Sequence, residues 1–537
     1  MGRLGLLVLS VASLPAQGIW ERRADYPISA TEVSAAAIGG KIYALCGLIQ
    51  GRSVNNLFLY DPRTDEWTEG APAPVAGGLD HCNVAAAGGK LYLLGGIRIG
   101  SSFIDGGTYE YDPAANRWQT VGRMNVPRGA SGVAAIGDKI YVAGGLAASG
   151  SVAAFEVFDT QTRQWAQLPN MPTARDHLTA QAIGGKFYAL LGRAGREFTV
   201  NEEYDPAANA WRTRAPAPTA RGGLGSGLIG GRIQVVGGEG NSGTPLGTFE
   251  QNEEYDPVSD TWRTLAPMPT PRHGLYGVTI DDRLFTPSGG PRAGGFFSSV
   301  HEVFYLVAEP PVIAGLTSAA ADAPVAPGGL GSIFGARLSQ GERVAVRLPL
   351  PVRMNAVEAR LDGRAVPLFF TSGGQINLQI PFAVEAGPHD LSVSNAGSES
   401  RVIRVNVAAV APAIFSLSQG GSGQGAVLVA GQLAGPGGRA ARAGEVIEIY
   451  CTGLGAVDSP PRAGEAATGI VRTVQRPEVT IGGVRAEVVF AGLAPGLVGV
   501  YQVNVRVPAN APAGTAAAVV VETGAARSNT VTIAVAQ

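Results

Sequence analysis

Short apolar segments alternate with polar turns along the whole chain, at the spacing of strands rather than helices. In one stretch the small apolar residues Val133–Ile136 precede a Gly-Asp turn, and the apolar run Ile140–Ala143 follows and ends in Gly-Gly. Short runs bounded by turn residues predict β-strands, and glycine supplies the positive φ that two-residue hairpins need. The pattern therefore predicts an all-β chain built from hairpins.

The hairpin recurs six times between residues 19 and 306. A basic residue follows each turn, at spacings of 49, 49, 47, 46 and 51 residues: Lys41, Lys90, Lys139, Lys186, Arg232 and Arg283. All six tryptophans of the chain share one position on the last strand of the repeat: Trp20, Trp67, Trp118, Trp165, Trp211 and Trp262. Repeats of this length predict four-stranded propeller blades, in which a large ring fills the wedge that widens away from the axis.

These residues resemble the kelch repeat, and the resemblance covers about half of the chain. It implies a six-bladed β-propeller over residues 19–308. Two copies depart from the pattern, because Gly47-Leu48 and Gly192-Arg193 each lack the second glycine. Trp20 precedes the first full repeat and no tryptophan follows the last one, so Ile19–Ala24 is predicted to close the sixth blade as its fourth strand.

Residues 1–18 have the pattern of an export signal peptide. Arg3 supplies the positive start, Leu4–Leu14 the apolar stretch and Ala16-Gln17-Gly18 the small residues for cleavage. The apolar stretch is too short to cross a membrane, and no other segment has transmembrane character. We expect a secreted, periplasmic or cell-surface protein; a disordered apolar tail is the alternative interpretation of these residues.

A Pro-rich hinge separates the repeats from a second half with a different pattern. Within this half, the segment Gln375–Pro381 recurs as Gln502–Pro508, with Gln, Asn and Pro at the same three positions. Short alternating strands at regular spacing fit an immunoglobulin-like sandwich. The sequence therefore predicts two tandem immunoglobulin-like β-sandwich subdomains, over residues 309–409 and 410–537.

The second half also resembles a C-terminal domain common in large extracytoplasmic proteins of acidobacterial type. Its characteristic segments include Ala326-Pro327-Gly328, Ala411–Phe415, Thr452–Gly455 and Ala491–Gly496. That family has no established activity and is joined to many unrelated N-terminal modules. The resemblance therefore implies location and modular architecture rather than a chemistry.

Composition and charge narrow the classes of function. The 537 residues carry a formal net charge of −2, which gives no support for nucleic-acid or anionic-membrane binding. Cys46, Cys82 and Cys451 are too few and too scattered for a disulfide framework, and buried free thiols are favoured over a Cys46–Cys82 bond. We expect a monomer that needs no cofactor.

Two levels of residues before the first strand of each blade form the candidate ligand site. Eleven residues before the turn-basic position, four blades carry an arginine: Arg128, Arg175, Arg221 and Arg272. Two residues further along lie Glu32, His81 and His177, with His273 one position off. In the kelch propellers that this chain resembles, the corresponding arginine helps to line the ligand-facing surface.

Two interpretations of these levels remain open. Convergent arginines with histidines nearby suit an anionic or sugar-acid ligand. Alternatively, the arginines pair with carbonyls and acidic turns inside the fold and are structural. A three-histidine metal site is a weaker alternative, because the spacing is imperfect and no carboxylate clearly supports it, so no metal is assigned.

The function predicted from these features is that of an exported binding protein. Its ligand, a carbohydrate, a cell-wall component or a protein, is expected at the propeller face, with the sandwiches as spacer or anchor. Two enzymatic alternatives remain: an extracytoplasmic sugar-acid epimerase or mutarotase, and a galactose-oxidase-like copper oxidase. No catalytic carboxylate supports the first, and the histidine-poor C-terminal half argues against the second.

Overall fold

The computed structural model describes residues 18–306 and 309–537; of the predicted export signal at residues 1–18, residues 1–17 lie outside them. The chain divides into two compact units between Val307 and Ala308. The described residues of both units form strands, turns and loops without a helix, and so no helix that could span a membrane occurs among them. The predicted all-β fold class is confirmed.

The first unit is a ring of six four-stranded antiparallel sheets, one for each sequence repeat. Blade 1 comprises Ser34–Ile38, Lys41–Leu45, Leu57–Asp61 and Glu66–Gly70; blade 2 comprises Val84–Ala87, Lys90–Ile97, Ile104–Asp112 and Arg117–Arg123; blade 3 comprises Gly132–Ile136, Lys139–Ala143, Phe155–Asp159 and Gln164–Gln167. Blade 4 comprises Thr179–Ile183, Lys186–Leu190, Asn201–Asp205 and Ala210–Thr213; blade 5 comprises Gly225–Ile229, Arg232–Val236, Asn252–Asp256 and Thr261–Thr264; blade 6 comprises Val278–Ile280, Arg283–Pro287, His301–Tyr305 and Ile19–Arg22.

Blade 6 is completed by the start of the chain. Ile19–Arg22 pairs antiparallel with His301–Tyr305, and Trp20 lies opposite Phe304. The indole N–H of Trp20 donates to the carbonyl of Ala266 in the preceding blade connection at 2.9 Å. A strand supplied from the other end of the unit covers the third-strand edge of blade 6, which would otherwise be open.

The other repeat tryptophans use the same two contacts. Each lies beside an aromatic residue of its neighbouring third strand, as in the Tyr204–Trp211 pair, whose ring centroids are 5.3 Å apart. Trp67, Trp118, Trp211 and Trp262 donate their indole N–H to a carbonyl near the preceding blade, and Trp165 donates to the hydroxyl of Thr108. The conserved position in the repeat therefore ties adjacent blades together as well as filling the outer wedge.

The structure changes the interpretation of the two departing hairpins. The glycine pairs of blades 2, 3 and 5 align with Cys46-Gly47 in blade 1, Leu191-Gly192 in blade 4 and Ser288-Gly289 in blade 6, so it is the first glycine that is replaced. Cys46 and Leu191 adopt φ of 61° and 55°, in the left-handed region that glycine normally fills. Both side chains are fully buried, which shows that packing compensates for the backbone conformation.

The second unit contains two stacked-sheet subdomains. In the first, one sheet has the order Val312–Ser318, Leu330–Ala336, Gln375–Gln379, Leu368–Thr371 and Arg343–Val344, and the other has Arg364–Ala365, Val357–Leu361, Gly387–Asn395 and Ser398–Glu399, with Ile403–Val407 also paired to Gly387–Asn395. Buried aliphatic side chains such as Ile333, Leu378 and Val393 form the core between them.

In the second subdomain the strands follow one another as Gln432–Leu433, Val427–Val429, Val446–Thr452, Tyr501–Arg506, Val484–Leu493, Glu478–Ile481, Gly514–Thr523 and Ala526–Arg527, with Ala413–Ile414 beside Val446–Thr452 and Val531–Val535 beside Gly514–Thr523. The recurring Gln-x-Asn segment makes the same bond in both subdomains: Gln375 donates to Asn377 at 2.7 Å and Gln502 to Asn504 at 2.9 Å. The internal sequence repeat thus corresponds to a repeated strand.

Candidate functional site

The two ends of the propeller carry different loops, because the strand order within each blade sends short turns to one end and longer loops to the other. The Gly-rich hairpins between first and second strands, and the Tyr-Asp-Pro-type turns between third and fourth strands, lie at one end. The longer loops between second and third strands, and the connections between blades, lie at the other, which is called the loop face below. Each second-strand exit is bridged to the segment before the first strand, as in the Asp176–Arg193 bridge. The candidate residues therefore belong to the loop face.

A belt of backbone hydrogen bonds runs around the axis just below the loop face. The six residues at the second candidate level all have positive φ, between 49° and 63°: Glu32, His81, Ala130, His177, Gly223 and Gly274. Five N–H groups of this level donate to the carbonyl of the same level in an adjacent blade, at 2.7–2.9 Å. Such a conformation is strained for side chains other than glycine, so the belt holds Glu32 and both histidines in fixed positions.

The four candidate arginines lie inside the blades. Arg128, Arg175, Arg221 and Arg272 are all fully buried, and each forms an ion pair with a third-strand glutamate: Glu156, Glu202, Glu253 and Glu302 respectively. Each also donates to backbone carbonyls of its own blade; Arg175, for example, reaches Leu191, Thr173 and Ala189 at 2.7–3.0 Å.

This placement differs from the ligand-binding prediction. A guanidinium with no exposed atom and with its donors bound to carbonyls and a carboxylate has little capacity left for a ligand. Burial lowers the pKa of Arg175, and the ion pair with Glu202 opposes that shift. The geometry supports the structural interpretation of the arginines, in which they hold the first, second and third strands of a blade together.

The histidines of the belt are each joined to the aspartate that precedes them. Nδ1 of His81 lies 2.5 Å from Asp80, and Nδ1 of His177 lies 2.5 Å from Asp176. The carboxylate accepts a hydrogen bond in these pairs, so Nδ1 carries the hydrogen and Nε2 is left as the basic atom. The two rings meet edge to face with centroids 4.9 Å apart, although their blades are not adjacent in sequence.

Charged side chains from blades 1, 4 and 5 surround this pair. Glu32 lies 3.3 Å from Nε2 of His81, and Arg193 donates to Nε2 of His177 at 2.9 Å. Arg193 also contacts Glu239 at 2.5 Å. These residues, with Asp80, Asp176 and His273, are the cluster referred to below as the axial cluster.

The two histidines have opposite pKa shifts. Burial alone would lower the pKa of His81, but Glu32 and Asp80 outweigh it and raise the pKa. Burial lowers the pKa of His177, and the nearby charges of His81 and Arg193 add to that effect against the hydrogen bond to Asp176. At neutral pH His177 is therefore neutral and able to accept a proton or bind a cation, whereas His81 more readily carries charge.

Arg193 and Glu239 were not among the predicted site residues. Each directly follows the glycine at the end of the second strand, Gly192 or Gly238. The other four blades have Leu48, Ile97, Leu146 and Gly290 at this position. A charged residue at a position that is apolar or glycine in the other blades was the signal that could have identified them. His273, one position off in sequence, still reaches the cluster, with Nδ1 3.7 Å from Glu32.

The cluster lies at a narrow point of the axial channel. A cavity of about 450 Å³ extends along the first strands and is lined by small side chains such as Ala36, Ala85 and Ala134. At the belt the space shrinks to about 30 Å³ between Glu32, His81 and His177. The space at the belt fits a single water-sized group. A larger ligand could therefore approach the cluster along the channel but could not pass through it.

Three alternate blades carry an arginine stacked on a phenylalanine in their loop-face loops. The guanidinium carbon lies 4.4 Å from the ring centroid in Arg98–Phe103 of blade 2, 5.1 Å in Arg196–Phe198 of blade 4 and 4.8 Å in Arg292–Phe296 of blade 6. Phe103 and Phe296 are 41% and 43% exposed. The loop face therefore has an aromatic and basic rim around an acidic and histidine-rich centre.

Comparisons with known proteins match the propeller to kelch repeats. The family model described as KLHDC2/KLHL20/DRC7 Kelch-repeats domain matches residues 81–290, and the model described as Kelch motif matches residues 30–74. The solved structure titled "Structure of YjhT" aligns with a TM-score of 0.46 at 18% identity, covering 52% of this chain and 95% of that one. The resemblance of residues 311–537 to an acidobacterial-type domain stays a prediction.

Curated relatives match a longer stretch of the chain than either family model does. The Kelch-like protein terF of Aspergillus terreus is 31% identical over 326 residues, which are 56% of this chain and 71% of the relative. Kelch-like protein 23 of Homo sapiens is 28% identical over 263 residues, and the chain spans only 45% of its length. The repeats, the blade architecture and these relatives agree, and the chain belongs to the kelch-repeat family.

Proposed function

We propose that this chain is an exported interaction protein whose partner is another protein, bound across the loop face of the propeller. Kelch-repeat proteins are typically protein-interaction modules, which supports a binding role for the first unit. Export rests on the signal-peptide pattern of residues 1–18, and the predicted role of the sandwiches as spacer or anchor belongs to the same proposal.

The observation that carries this proposal is the set of three arginine–phenylalanine pairs. Aromatic residues and arginine are enriched where proteins meet, since they combine a large apolar area with directional donors. Pre-stacking of Arg98 on Phe103, and of Arg292 on Phe296, holds long side chains in place before a partner arrives, which reduces the entropy lost on binding. A partner with carboxylates and apolar side chains would complement this rim.

The carbohydrate and cell-wall ligands expected from the sequence remain the competing proposals. Their main structural support was the ring of four arginines, which the blades bury and pair internally. The exposed loop-face groups are compatible with either class. A direct comparison of peptide and glycan probes is therefore the decisive experiment.

The test uses the full chain, immobilised and probed with a displayed random-peptide library and, separately, with a glycan array. The loop-face variant combines Phe103→Ser with Phe296→Ser. The control is Val258→Ser, because Val258 is 93% exposed and lies in a turn at the opposite end of the propeller. We expect enriched peptides that bind the wild type and the control equally and lose at least tenfold in affinity for the loop-face variant.

Two results would contradict the proposal. One is peptide binding that the loop-face variant retains, which would move the interface elsewhere. The other is strong glycan-array binding without peptide enrichment, which would favour the carbohydrate ligand.

A further inference from the structure

The two aspartate–histidine pairs of the axial cluster have the arrangement that supports metal-binding histidines. Metal-ligating histidines usually donate their second ring N–H to a carboxylate, which orients the ring and makes the other nitrogen more basic. His81 and His177 both do this, at 2.5 Å. The aspartates are themselves held: Asp80 accepts from the Ser53 hydroxyl and Asp176 from that of Ser151.

Glu32 adds a carboxylate beside the Nε2 atoms of His81 and His177, the second of which accepts a hydrogen bond from Arg193. The ligand atoms of Glu32, His81 and His177 all lie within 4.8 Å of one another. Their side chains are only 12%, 8% and 8% exposed, and they line the space of about 30 Å³ at the belt, which has room for one ion. The positive-φ belt fixes all three backbones, so the donors are preorganised rather than gathered from flexible loops.

The electrostatics of the axial cluster favour a cation. Nε2 of His273 lies 3.0 Å from the carbonyl of Arg292, which can only accept, so this nitrogen carries the hydrogen. Nδ1 of the same ring faces the carboxylates of Glu32 at 3.7 Å and Glu239 at 3.5 Å. Nδ1 is buried and has no hydrogen-bond partner in the described residues. A buried ring nitrogen that faces two carboxylates is stabilised by positive charge, which a bound proton or a bound cation supplies.

The charges of the cluster point in the same direction. Four carboxylates, those of Glu32, Asp80, Asp176 and Glu239, surround the three histidines, and within this group Arg193 is the balancing guanidinium. The four carboxylates outnumber the one guanidinium, and they still outnumber the positive groups when His81 is protonated. A divalent ion would reduce this imbalance in a nearly buried site.

We propose that Glu32, His81 and His177 bind one divalent transition-metal ion of the zinc class in the axial channel. Two imidazoles and one carboxylate are the ligand set that such ions accept, whereas Ca²⁺ and Mg²⁺ prefer oxygen ligands alone. Three protein ligands leave a coordination position open toward the channel. Arg193, which donates to His177, moves aside on binding and keeps its contact with Glu239. The supporting carboxylate is Glu32, from blade 1, which the sequence pattern placed at the level of the histidines without assigning it to a metal.

The experiment measures binding of Zn²⁺ and Co²⁺ to the full chain after treatment with a chelator. Calorimetry gives the stoichiometry for Zn²⁺, and visible absorption of Co²⁺ reports the ligand field. We expect one equivalent of either ion, and at least tenfold weaker binding for His81→Gln, His177→Gln and Glu32→Gln. Asp176→Asn, which removes only the orienting carboxylate, should weaken binding about 10- to 100-fold.

The matched control is His389→Gln, since His389 lies in the second unit and is bonded to Asp362. Circular dichroism and melting of each metal-free variant show whether it is folded. If a histidine variant does not fold, the test relies on Glu32→Gln, which is the most conservative change. The proposal is overturned if the wild type binds no equivalent of Zn²⁺ or Co²⁺, or if the three ligand variants bind as the wild type does. A thiolate-to-cobalt charge-transfer band would also overturn it, because the ion would then be on a cysteine such as Cys82.

Discussion

Arg175 donates to the carboxylate of Glu202 at 2.6 Å in the interior of blade 4, where neither side chain is more than 2% exposed. The same pair recurs in blades 3, 5 and 6. In each case the arginine precedes the first strand and the glutamate lies on the third strand of the same blade. The pair therefore acts as an internal clamp of the blade.

We expect Arg175→Ala to lower the free energy of unfolding of the propeller by about 3–5 kcal/mol, because it leaves a buried glutamate and several carbonyls without their partner. Urea unfolding followed by tryptophan fluorescence measures the change. Arg212→Ala is the control: Arg212 also pairs with a glutamate, Glu203, but is 53% exposed, so its loss should cost about 1 kcal/mol or less. Equal effects of the two variants would contradict the clamp.

The clamp shows what the sequence could and could not predict. Regular spacing of Lys41, Lys90 and the later turn-basic residues was enough to predict six blades, because each repeat must form one sheet. The same regularity placed the arginines at one level but did not show whether they face the channel or the blade interior. That choice depends on the glutamate 27–32 residues further along the chain, on a strand whose register the repeat pattern leaves open.

The axial cluster was predicted in part for a similar reason. His81, His177 and Glu32 share a repeat position, and the belt brings them together around the axis. Arg193 and Glu239 reach the same place from second-strand exits, which only the bridges between segments reveal. A comparison of each repeat with the next cannot predict which residues from different blades and different repeat positions meet at the axis.

Removal of residues 1–24 should destabilise the propeller strongly. The deletion takes away the fourth strand of blade 6, including the Trp20–Phe304 contact, and exposes the edge of His301–Tyr305. We expect a loss of several kcal/mol, typical of a large buried aromatic group together with a lost ladder, and increased aggregation. Deletion of residues 1–17 is the control and should leave the melting temperature unchanged. A 25–537 chain that melts like the 18–537 chain would show that the strand is dispensable.

The second unit should fold without the first. Its two subdomains have their own cores, with Ile333 and Leu378 in one and Ile449 and Val503 in the other. Residues 309–537 expressed alone should therefore show a cooperative thermal transition with β-type circular dichroism. A fragment that stays unfolded while the full chain is folded would mean that the second unit depends on the first for its stability.

Acid should destabilise the propeller through His301 in blade 6. This ring is enclosed by Tyr60, Trp67 and Phe285, and burial lowers its pKa to about 3, against the hydrogen bond to the carbonyl of Ala24. Because the pKa in the folded state lies below the unfolded value of about 6.5, the unfolded chain binds the extra proton first. Stability from this group is complete above about pH 6.5 and falls by about 1.4 kcal/mol per pH unit as the pH drops toward 3.

The variant His301→Gln isolates this contribution. The wild type should lose about 3 kcal/mol more than the variant between pH 7 and pH 4.5, whatever the starting stability of each protein, because only the wild type has the titrating ring. Urea unfolding at the two pH values gives the difference. His389 should show a pH dependence of the opposite sign, which His389→Gln would remove. The hydrogen bond to Asp362 raises the pKa of His389 in the folded state, so the small stabilisation from this ring grows as the pH falls through that pKa. If His301→Gln keeps the full acid sensitivity of the wild type, the ring is not the group that carries it, and the destabilisation must come from the carboxylates that become protonated in the same range.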